Sequence, residues 1–510
     1  MNRTPSRRQF LGSLGGGIGS LALGAALADR LGLANAFGFA SEPRRERLRF
    51  GALDPLVDLM QGTEPDALLP LLVQKLRSGT TLAELVGAGA LANARAFGGT
   101  DYNGYHALMA MAPAFEMAAQ MPEPYAALPV LKVLHRNARF VRDVGRSDKD
   151  GLAPVADGAA DERLVAHMRK HELDEAERSL TTVAARSKTE AYEQLQEVVR
   201  DEMNVHRVVL AWRVHDLQRI TGEEHAVTLM RQSVRFCIDE DGARVRRHQP
   251  AQPIGALLPK LLEEHHLDRP ERGRFFGEAA WIQEFAETVF NADSATAAEA
   301  TAVALAQSSD PEEIGAAISL AAARLLVHDP GRKDDAPGKP MGSVHGASVG
   351  VHASDSANAW RHLARVGSRR NACASLIAAA YHTAGQSRHV GALPFDHDGE
   401  PCTLSDPAPL RKEIEGRVRE GDQKGACLAV RRYGELGLPA DDLFALLLGF
   451  AVSADGALHA EKHFRTVQEE HATAQPAHRT LHLVALARAV ASSAKFPAPG
   501  VEEARKLLSA

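Results

Sequence analysis

The chain has 510 residues, with 59 Lys and Arg residues against 65 Asp and Glu residues, which gives a formal net charge of −6. Hydrophobic side chains make up 45% of the chain, aromatic ones 5% and charged ones 24%. This balance excludes a disordered polyampholyte and a collagen-like repeat, and the slight acidity gives no general attraction to nucleic acid. The 22 histidines far outnumber the 4 cysteines, so any metal site is expected to use imidazole and oxygen ligands.

The first residues contain, in the usual order, the features of an export signal. Residues 6–11 contain the pair Arg7-Arg8 before Phe-Leu, a Gly/Ala/Leu-rich segment follows over 11–28, and residues 34–36 read Ala-Asn-Ala. The arginine pair resembles the twin-arginine motif of bacterial export. We therefore predict a twin-arginine signal peptide at 1–36, with the translocation machinery as a partner. A periplasmic or otherwise extracytoplasmic location follows, and a Sec signal or a membrane anchor is the alternative.

The rest of the chain has the pattern of successive helices. Apolar residues recur at helical spacing after Pro65, and Asp310-Pro311 supplies an N-cap residue followed by a proline suited to the first helical position. Alternating β-branched runs joined by hairpin turns are nearly absent. We predict an all-α fold, a large multi-helix array with a HEAT-like texture of helix pairs that is compact around a central site. The apolar stripe expected after Asp310 consists of Ile314, Ile318, Ala321 and Leu325.

Polar breaks at 144–161, 329–343 and 391–409 divide this pattern, and each is longer than the usual connection. We predict an N-terminal helical region at 45–328 and a C-terminal helical region at 344–510 that completes the site. No segment after the signal is apolar for long enough to span a bilayer. The cysteines lack C-x-x-C spacing, which excludes a zinc ribbon, and in an oxidising compartment they could form disulfides with three possible connectivities.

Four short segments place histidine next to a turn or at the start of an apolar helix. A metal site needs several neutral imidazoles that converge from different elements, and histidines at the starts of separate helices could provide them. The last segment is expected to form one helix in which Asp455, His459 and the pair Lys462/His463 share a face. The alternative is that each histidine is solvated or bonded to a backbone carbonyl. The candidates are His106; His225; His345 and His352; and Asp455, His459, Lys462 and His463.

The other histidines are sorted by their neighbours. His135, His206 and His215 have mixed surroundings and are treated as intermediate. The remaining ones considered have polar neighbours and are expected at the surface: His265, His266, His389, His397, His471 and His478.

Taken in chain order, the four histidine-containing segments resemble those of the questin oxidase-like family. The matching segments are His106-Ala107-Leu108, 225–229, 352–360 and 459–462. The sequence departs from the family pattern at three places. Ala226 replaces a proline, Leu229 replaces the second histidine of that motif, and Asp355 replaces a threonine.

The resemblance implies an all-helical, oxygen-using enzyme that acts on an organic small molecule, and the family's substrates are aromatic. It implies a non-haem iron centre with four histidines and a carboxylated lysine. Carried over residue by residue, the metal ligands would be His106, His225, His352 or His345, His459 and Lys462.

The leading hypothesis is therefore an exported, metal-dependent oxidase or dioxygenase, with non-haem iron as the expected metal. The alternative is a non-catalytic α-helical repeat scaffold that binds another exported protein, in which the histidines would be scattered. A hydrolase finds little support, since neither a G-x-S-x-G nor an H-E-x-x-H motif is present. No dinucleotide-binding fingerprint accompanies a βαβ unit, so no nicotinamide or flavin is expected.

Overall fold

The computed structural model describes residues 47–96, 102–144, 164–269, 276–346, 348–390 and 394–510. The predicted signal peptide at 1–36 lies outside the described residues. Within these ranges the regular elements are helices and no β-strand is formed, which confirms the all-α prediction. Residues Arg49–Ala510 form one compact unit.

The α-helices are numbered here in chain order. They are α1 (Asp54–Gly62), α2 (Pro65–Arg77), α3 (Leu82–Ala96), α4 (Tyr102–Ala118), α5 (Leu128–Val144), α6 (Leu164–Arg169), α7 (Leu173–Arg186), α8 (Lys188–Val199), α9 (Val205–Asp216), α10 (Gln218–Thr221), α11 (Ala226–Arg246), α12 (Ile254–Glu264), α13 (Ala279–Asn291), α14 (Ser294–Ala306), α15 (Pro311–His328), α16 (Val349–Val366), α17 (Arg369–Ser387), α18 (Pro407–Arg419), α19 (Gln423–Glu435), α20 (Ala440–Ser453), α21 (His459–Thr473), α22 (Arg479–Ser493) and α23 (Val501–Ser509).

The helix starts follow the local signals in the sequence. The Asp310 carboxylate accepts a hydrogen bond from the backbone N–H of Glu312, and Pro311 occupies the first position of α15. The predicted apolar stripe of α15 is fully buried. Pro65 likewise opens α2. None of the helices in the described ranges is long and apolar enough to cross a membrane.

Four helices enclose the candidate site. Each of α4, α9, α16 and α21 packs against two of the others, in the order α4, α9, α16, α21 and back to α4. A glycine also permits a close approach between α16 and its neighbour α15. A Cβ atom at Gly350, the second residue of α16, would lie 2.5 Å from the Cα of Leu326 in α15. Glycine therefore lets the start of α16 pack directly on the end of α15.

Arg488 of α22 binds the C-terminal end of α15. Its guanidinium donates to the carbonyl oxygens of Leu326 and Val327 at 2.5 and 2.9 Å and to that of Asp329 at 2.5 Å. It also lies 3.7 Å from the ring centroid of Phe395. The last carbonyls of a helix have no partner within the helix, so a buried cation here satisfies them and interacts favourably with the helix dipole.

None of the four cysteines forms a disulfide: Cys237, Cys373 and Cys427 are buried, and Cys402 is partly exposed. Burial raises the pKa of the Cys237 and Cys427 thiols to about 12, so both stay protonated at neutral pH.

We expect Arg488→Met to lower the free energy of unfolding by about 2–4 kcal/mol, because three buried carbonyls lose their donor. Urea unfolding followed by circular dichroism measures the change. The matched control is Arg324→Met in α15, where the arginine side chain is 36% exposed and pairs with Glu287 at 3.8 Å. That substitution should cost about 1 kcal/mol or less. Equal losses in the two variants would contradict the role assigned to Arg488.

Candidate metal centre

Four histidine rings from four helices meet in the interior of the protein. His106 is the fifth residue of α4, His206 the second of α9, His352 the fourth of α16 and His459 the first of α21. The first two and His459 are buried, and His352 is partly exposed. Each histidine thus lies within about the first turn of its helix, so the packing of four helix starts brings the rings together.

Three of the four rings are close enough to share one ion. Ring nitrogens of His106, His206 and His459 all lie within 4.8 Å of one another, and this buried cluster could hold a metal ion. The fourth ring, His352, has its centroid 5.0 Å from that of His459 and 5.1 Å from that of His206. We refer to these four residues as the histidine cluster.

The spacing of two ring nitrogens has the value expected of neighbouring ligands. Nε2 of His352 lies 3.0 Å from Nε2 of His459. Two nitrogens about 2.1 Å from one ion lie about 3.0 Å apart when the angle at the ion is near 90°, and about 3.4 Å apart at the tetrahedral angle. The observed distance fits the right angle of octahedral coordination more closely.

A hydrogen bond to the backbone fixes which nitrogen of His459 faces the cluster. Nδ1 of His459 lies 3.1 Å from the carbonyl oxygen of Gly456, which can only accept, so Nδ1 carries the proton. Nε2 therefore keeps its lone pair and points toward His352. This arrangement, in which the second nitrogen donates to a carbonyl, is typical of metal-binding histidines.

The turn that holds His459 is strained. Ala457 and Leu458 have φ values of 51° and 65°, a left-handed conformation that residues other than glycine rarely adopt. The turn is tied down by the backbone bond from Asp455 N–H to the Phe496 carbonyl at 2.7 Å. Strain of this kind persists only where surrounding structure enforces it, and it clusters at functional sites.

Removal from water disfavours protonation of three rings of the histidine cluster. Loss of hydration lowers the pKa of His352 to about 4 and lowers the pKa values of His206 and His459 well below the usual range. The positive charge of Lys462 lowers all three further. Neutral imidazole is the form that binds metal ions.

Lys462 lies beside the cluster with two buried carboxylates. Burial lowers the pKa of its amine to about 8, while the charges of Asp355 and Glu461 act in the opposite direction. Glu461 is in turn paired with Lys132 of α5, whose Nζ is 2.6 Å from Oε1. Nζ of Lys132 also donates to the carbonyl oxygen of Ala454 at 2.7 Å, just before the strained turn.

The structure brings together some of the sequence-predicted residues and gives others different neighbours. His106, His352 and His459 lie in the histidine cluster, and Lys462 lies close to it. His225 has its ring edge-to-face with Phe50, at a centroid distance of 5.5 Å, and feels the charges of Glu224 and Asp54.

His345 already has partners for both ring nitrogens. Nε2 donates to the carbonyl oxygen of Gly338 at 2.8 Å, and Nδ1 lies 3.0 Å from the Ser492 hydroxyl. Of the two histidines proposed for the third segment, His352 is the one that meets the cluster.

The prediction that Asp455 and His459 share one helix is wrong. Helix α21 begins at His459, and Asp455 lies before the turn, where its carboxylate accepts from the Ala457 backbone at 3.1 Å. The left-handed backbone at Ala457 and Leu458 separates Asp455 from the helix.

His206 is the member of the cluster that sequence reasoning did not select. Its signal is local: the Asn204 side chain accepts from the backbone N–H of His206 at 2.9 Å and caps α9. An N-cap residue two positions before a histidine therefore marks a helix start, the same setting that drew attention to His106.

A buried series of polar pairs continues from the cluster along α16 and α21. Thr466 donates to Asp355 at 3.1 Å, and Asn358 donates to Glu470 at 2.8 Å. With His352 and His459, these partners are 107 to 112 residues apart in the chain, so the two helices run parallel. At the far end, Arg361 pairs with Glu470 at 2.5 Å, beside a pocket of about 230 Å³, counted out to its open mouth, that is lined in part by His482.

Comparisons of the chain with protein-family models, with curated proteins and with solved structures found no match. The resemblance to the questin oxidase-like family remains a prediction from the sequence, and the case for the site rests on its geometry.

We expect Ala457→Gly to raise the free energy of unfolding by about 1 kcal/mol or less, because glycine adopts the left-handed conformation without a steric penalty. Urea unfolding measures the effect. The control is Ala300→Gly in α14, a helical position where glycine should cost about 0.5–1 kcal/mol. Destabilisation of the same size at both positions would show that the turn is not strained.

The free energy of unfolding should decrease as the pH is lowered from about 6.5 to about 4, and His482 should contribute to this decrease. Burial lowers the pKa of His482 to about 4, so over this interval the unfolded chain binds a proton that the folded protein does not. His482→Gln should reduce the slope of unfolding free energy against pH by up to about 1.4 kcal/mol per pH unit. Urea unfolding at several pH values measures the slope. The exposed His389, changed to Gln, should leave it unaltered; an unchanged slope in His482→Gln would contradict the prediction.

Proposed function

We propose that the protein is a metal-dependent oxidoreductase that uses dioxygen to oxidise an organic substrate, with non-haem iron held by the histidine cluster. The observation that carries the proposal is the convergence of four imidazole rings from four helices, with His352 and His459 at the spacing of neighbouring ligands. The alternative, a non-catalytic scaffold, expects histidines scattered over a concave surface and gives no reason for this convergence.

The ligand set suits iron better than most other metals. Four imidazoles with one carboxylate-type oxygen match the preferences of a ferrous ion and leave one of six positions open. When bound, a ferrous ion supplies the electrons that activate dioxygen. The protein's own part is to hold the imidazoles neutral and oriented, through burial and through the Nδ1–H bond from His459 to Gly456.

Lys462 is proposed to provide the oxygen ligand as a carbamate. Its amine is buried, and the lowered pKa of about 8 leaves a useful fraction uncharged at neutral pH. The neutral amine nitrogen bonds to the carbon of carbon dioxide and releases one proton, which leaves a carboxylate-like group on the side chain.

The charges around Lys462 support this modification. Without it, the cations Lys132 and Lys462 balance the anions Asp355 and Glu461. Conversion of the ammonium into a carbamate changes the local sum from zero to minus two. A divalent cation in the histidine cluster would restore neutrality, and buried charges are tolerated when they are balanced in this way.

Location is part of the proposal. The twin-arginine motif within residues 1–36 supports export to the periplasm or another extracytoplasmic space by the twin-arginine machinery. This route is suited to a protein that acquires its metal before it leaves the cytoplasm.

We expect the purified protein to bind about one ferrous ion per chain, and elemental analysis after anaerobic loading measures it. His206→Ala and His459→Ala should each lower the affinity for iron by at least about 10–100-fold, because each removes a ligand. His225→Ala and His471→Ala are the matched controls and should retain the metal. Equal retention in all four variants, or a wild-type chain without metal, would refute the proposal.

Two further measurements test separate parts of the proposal, the carbamate on Lys462 and the access of dioxygen to the iron. Lys462→Ala should lower iron loading, and removal of carbon dioxide and bicarbonate should lower loading of the wild type without further lowering the residual loading of Lys462→Ala. Nitric oxide, a dioxygen analogue, should give the characteristic electron paramagnetic resonance signal of its adduct with ferrous iron. Absence of that signal in iron-loaded protein would indicate a closed, structural site and would argue against the oxidase.

A further inference from the structure

His459 also forms part of the wall of a pocket. It measures about 320 Å³, counted out to its open mouth. Apolar side chains from α16, α20, α21 and α22 form most of its wall, and four polar side chains complete it. The apolar residues are Val351, Ala451, Ala460, Leu486, Ala489 and Val490, and the polar ones are His345, His459, His463 and Ser493.

Three of the four polar side chains already make hydrogen bonds elsewhere. His345 is bonded through both ring nitrogens, to Gly338 and Ser492. Nδ1 of His459 donates to Gly456, while its Nε2 faces the histidine cluster. The Ser493 hydroxyl donates to backbone carbonyls of its own helix at 3.1 and 3.3 Å. These hydrogen bonds hold the three side chains in place within the pocket wall and are not made to a molecule inside the pocket.

His463 differs from the other three. Its side chain is 2% exposed, and neither ring nitrogen has a hydrogen-bond partner in the described part of the chain. A buried polar group without a partner costs free energy, so each such group in a folded protein calls for an explanation. A molecule in the pocket would provide the partner.

Asp355 determines which nitrogen of His463 is available. Oδ1 of Asp355 is 3.8 Å from Nδ1 of His463 and accepts a hydrogen bond from the Thr466 hydroxyl at 3.1 Å. A carboxylate on that side favours the tautomer with the proton on Nδ1. Nε2 then keeps its lone pair and can accept a hydrogen bond, so the group it recognises must be a donor.

We propose that this pocket binds a small, mainly apolar molecule that carries one hydroxyl group, and that Nε2 of His463 accepts the hydrogen bond from that hydroxyl. The proposal deepens the proposed function, on which its identification of the molecule as the substrate rests, because the pocket shares His459 with the histidine cluster. Binding itself requires only the pocket wall and His463.

A site of this kind should reject analogues that lack the hydroxyl, because His463 would then stay buried without a partner. The probes are 4-fluorophenol and 4-fluorotoluene, which have similar size and differ in the polar group. Fluorine nuclear magnetic resonance titrations of the full chain measure both dissociation constants. We expect the wild type to bind 4-fluorophenol about tenfold more tightly than 4-fluorotoluene.

His463→Leu should abolish this preference: binding of 4-fluorophenol should weaken and that of 4-fluorotoluene should stay equal or improve. His471→Leu, on the same helix but outside the pocket, should keep the preference. Ala489→Leu should weaken both probes equally, because it fills the pocket without touching His463; this variant tests the location even where His463→Leu folds poorly. A wild type without preference, a preference that persists in His463→Leu, or binding unaffected by Ala489→Leu would each overturn the proposal.

Metal content measured on the same samples separates the two proposals. Selective binding of 4-fluorophenol by a chain that holds no iron would refute the metal-dependent function and leave the hydroxyl-binding pocket standing. Iron in the histidine cluster without selective binding of 4-fluorophenol would refute the hydroxyl-binding pocket and leave the metal-dependent function standing.

Discussion

The structure depends on burying several basic side chains at one point. Four imidazoles and a lysine amine meet where α4, α9, α16 and α21 begin, and the low pKa values of His206, His352 and His459 show that protonation of these rings is strongly opposed. Such a site is stable only if the rings stay neutral or share an ion, because an unpaired buried charge is costly. The carboxylates of Asp355 and Glu461 place negative charge near Lys462 and so offset its positive charge.

The two helices that contribute His352 and His459 are joined along their length by polar contacts rather than by apolar packing alone. Thr466 with Asp355, and Asn358 with Glu470, succeed one another along the parallel pair. Buried hydrogen-bonded pairs of this kind favour a single register, because a slip of one turn would leave several groups without partners. The register sets the 3.0 Å approach between the two histidines, so the geometry of the cluster and the stability of the helix pair have the same origin.

Much of the fold could be predicted from the sequence because its signals are local. Helix periodicity, the N-cap at Asp310 and the absence of alternating strands specify an all-α chain, and histidines at helix starts draw attention to His106 and His459. The choice between His206 and His225 could not be made in this way. Both histidines follow a turn and lie at the start of a helix. They differ in the tertiary neighbours of that helix, and these neighbours are set by contacts between residues that are far apart in the chain. The unpartnered state of His463 is likewise a property of packing, not of its neighbours in sequence.

The strained turn before α21 links the local sequence to the site. If residues 455–458 relaxed into the helix, the Gly456 carbonyl would accept from the Ala460 backbone, as the fourth residue before it, and His459 would lose the acceptor that fixes its Nδ1 proton. The left-handed conformation at Ala457 and Leu458 keeps that carbonyl available to the imidazole. The strain of about 1–3 kcal/mol per residue is therefore stored where it sets the tautomer of a ring that faces both the histidine cluster and the pocket. The contacts of Lys132 with Ala454 and Glu461, on either side of the turn, explain how the fold maintains it.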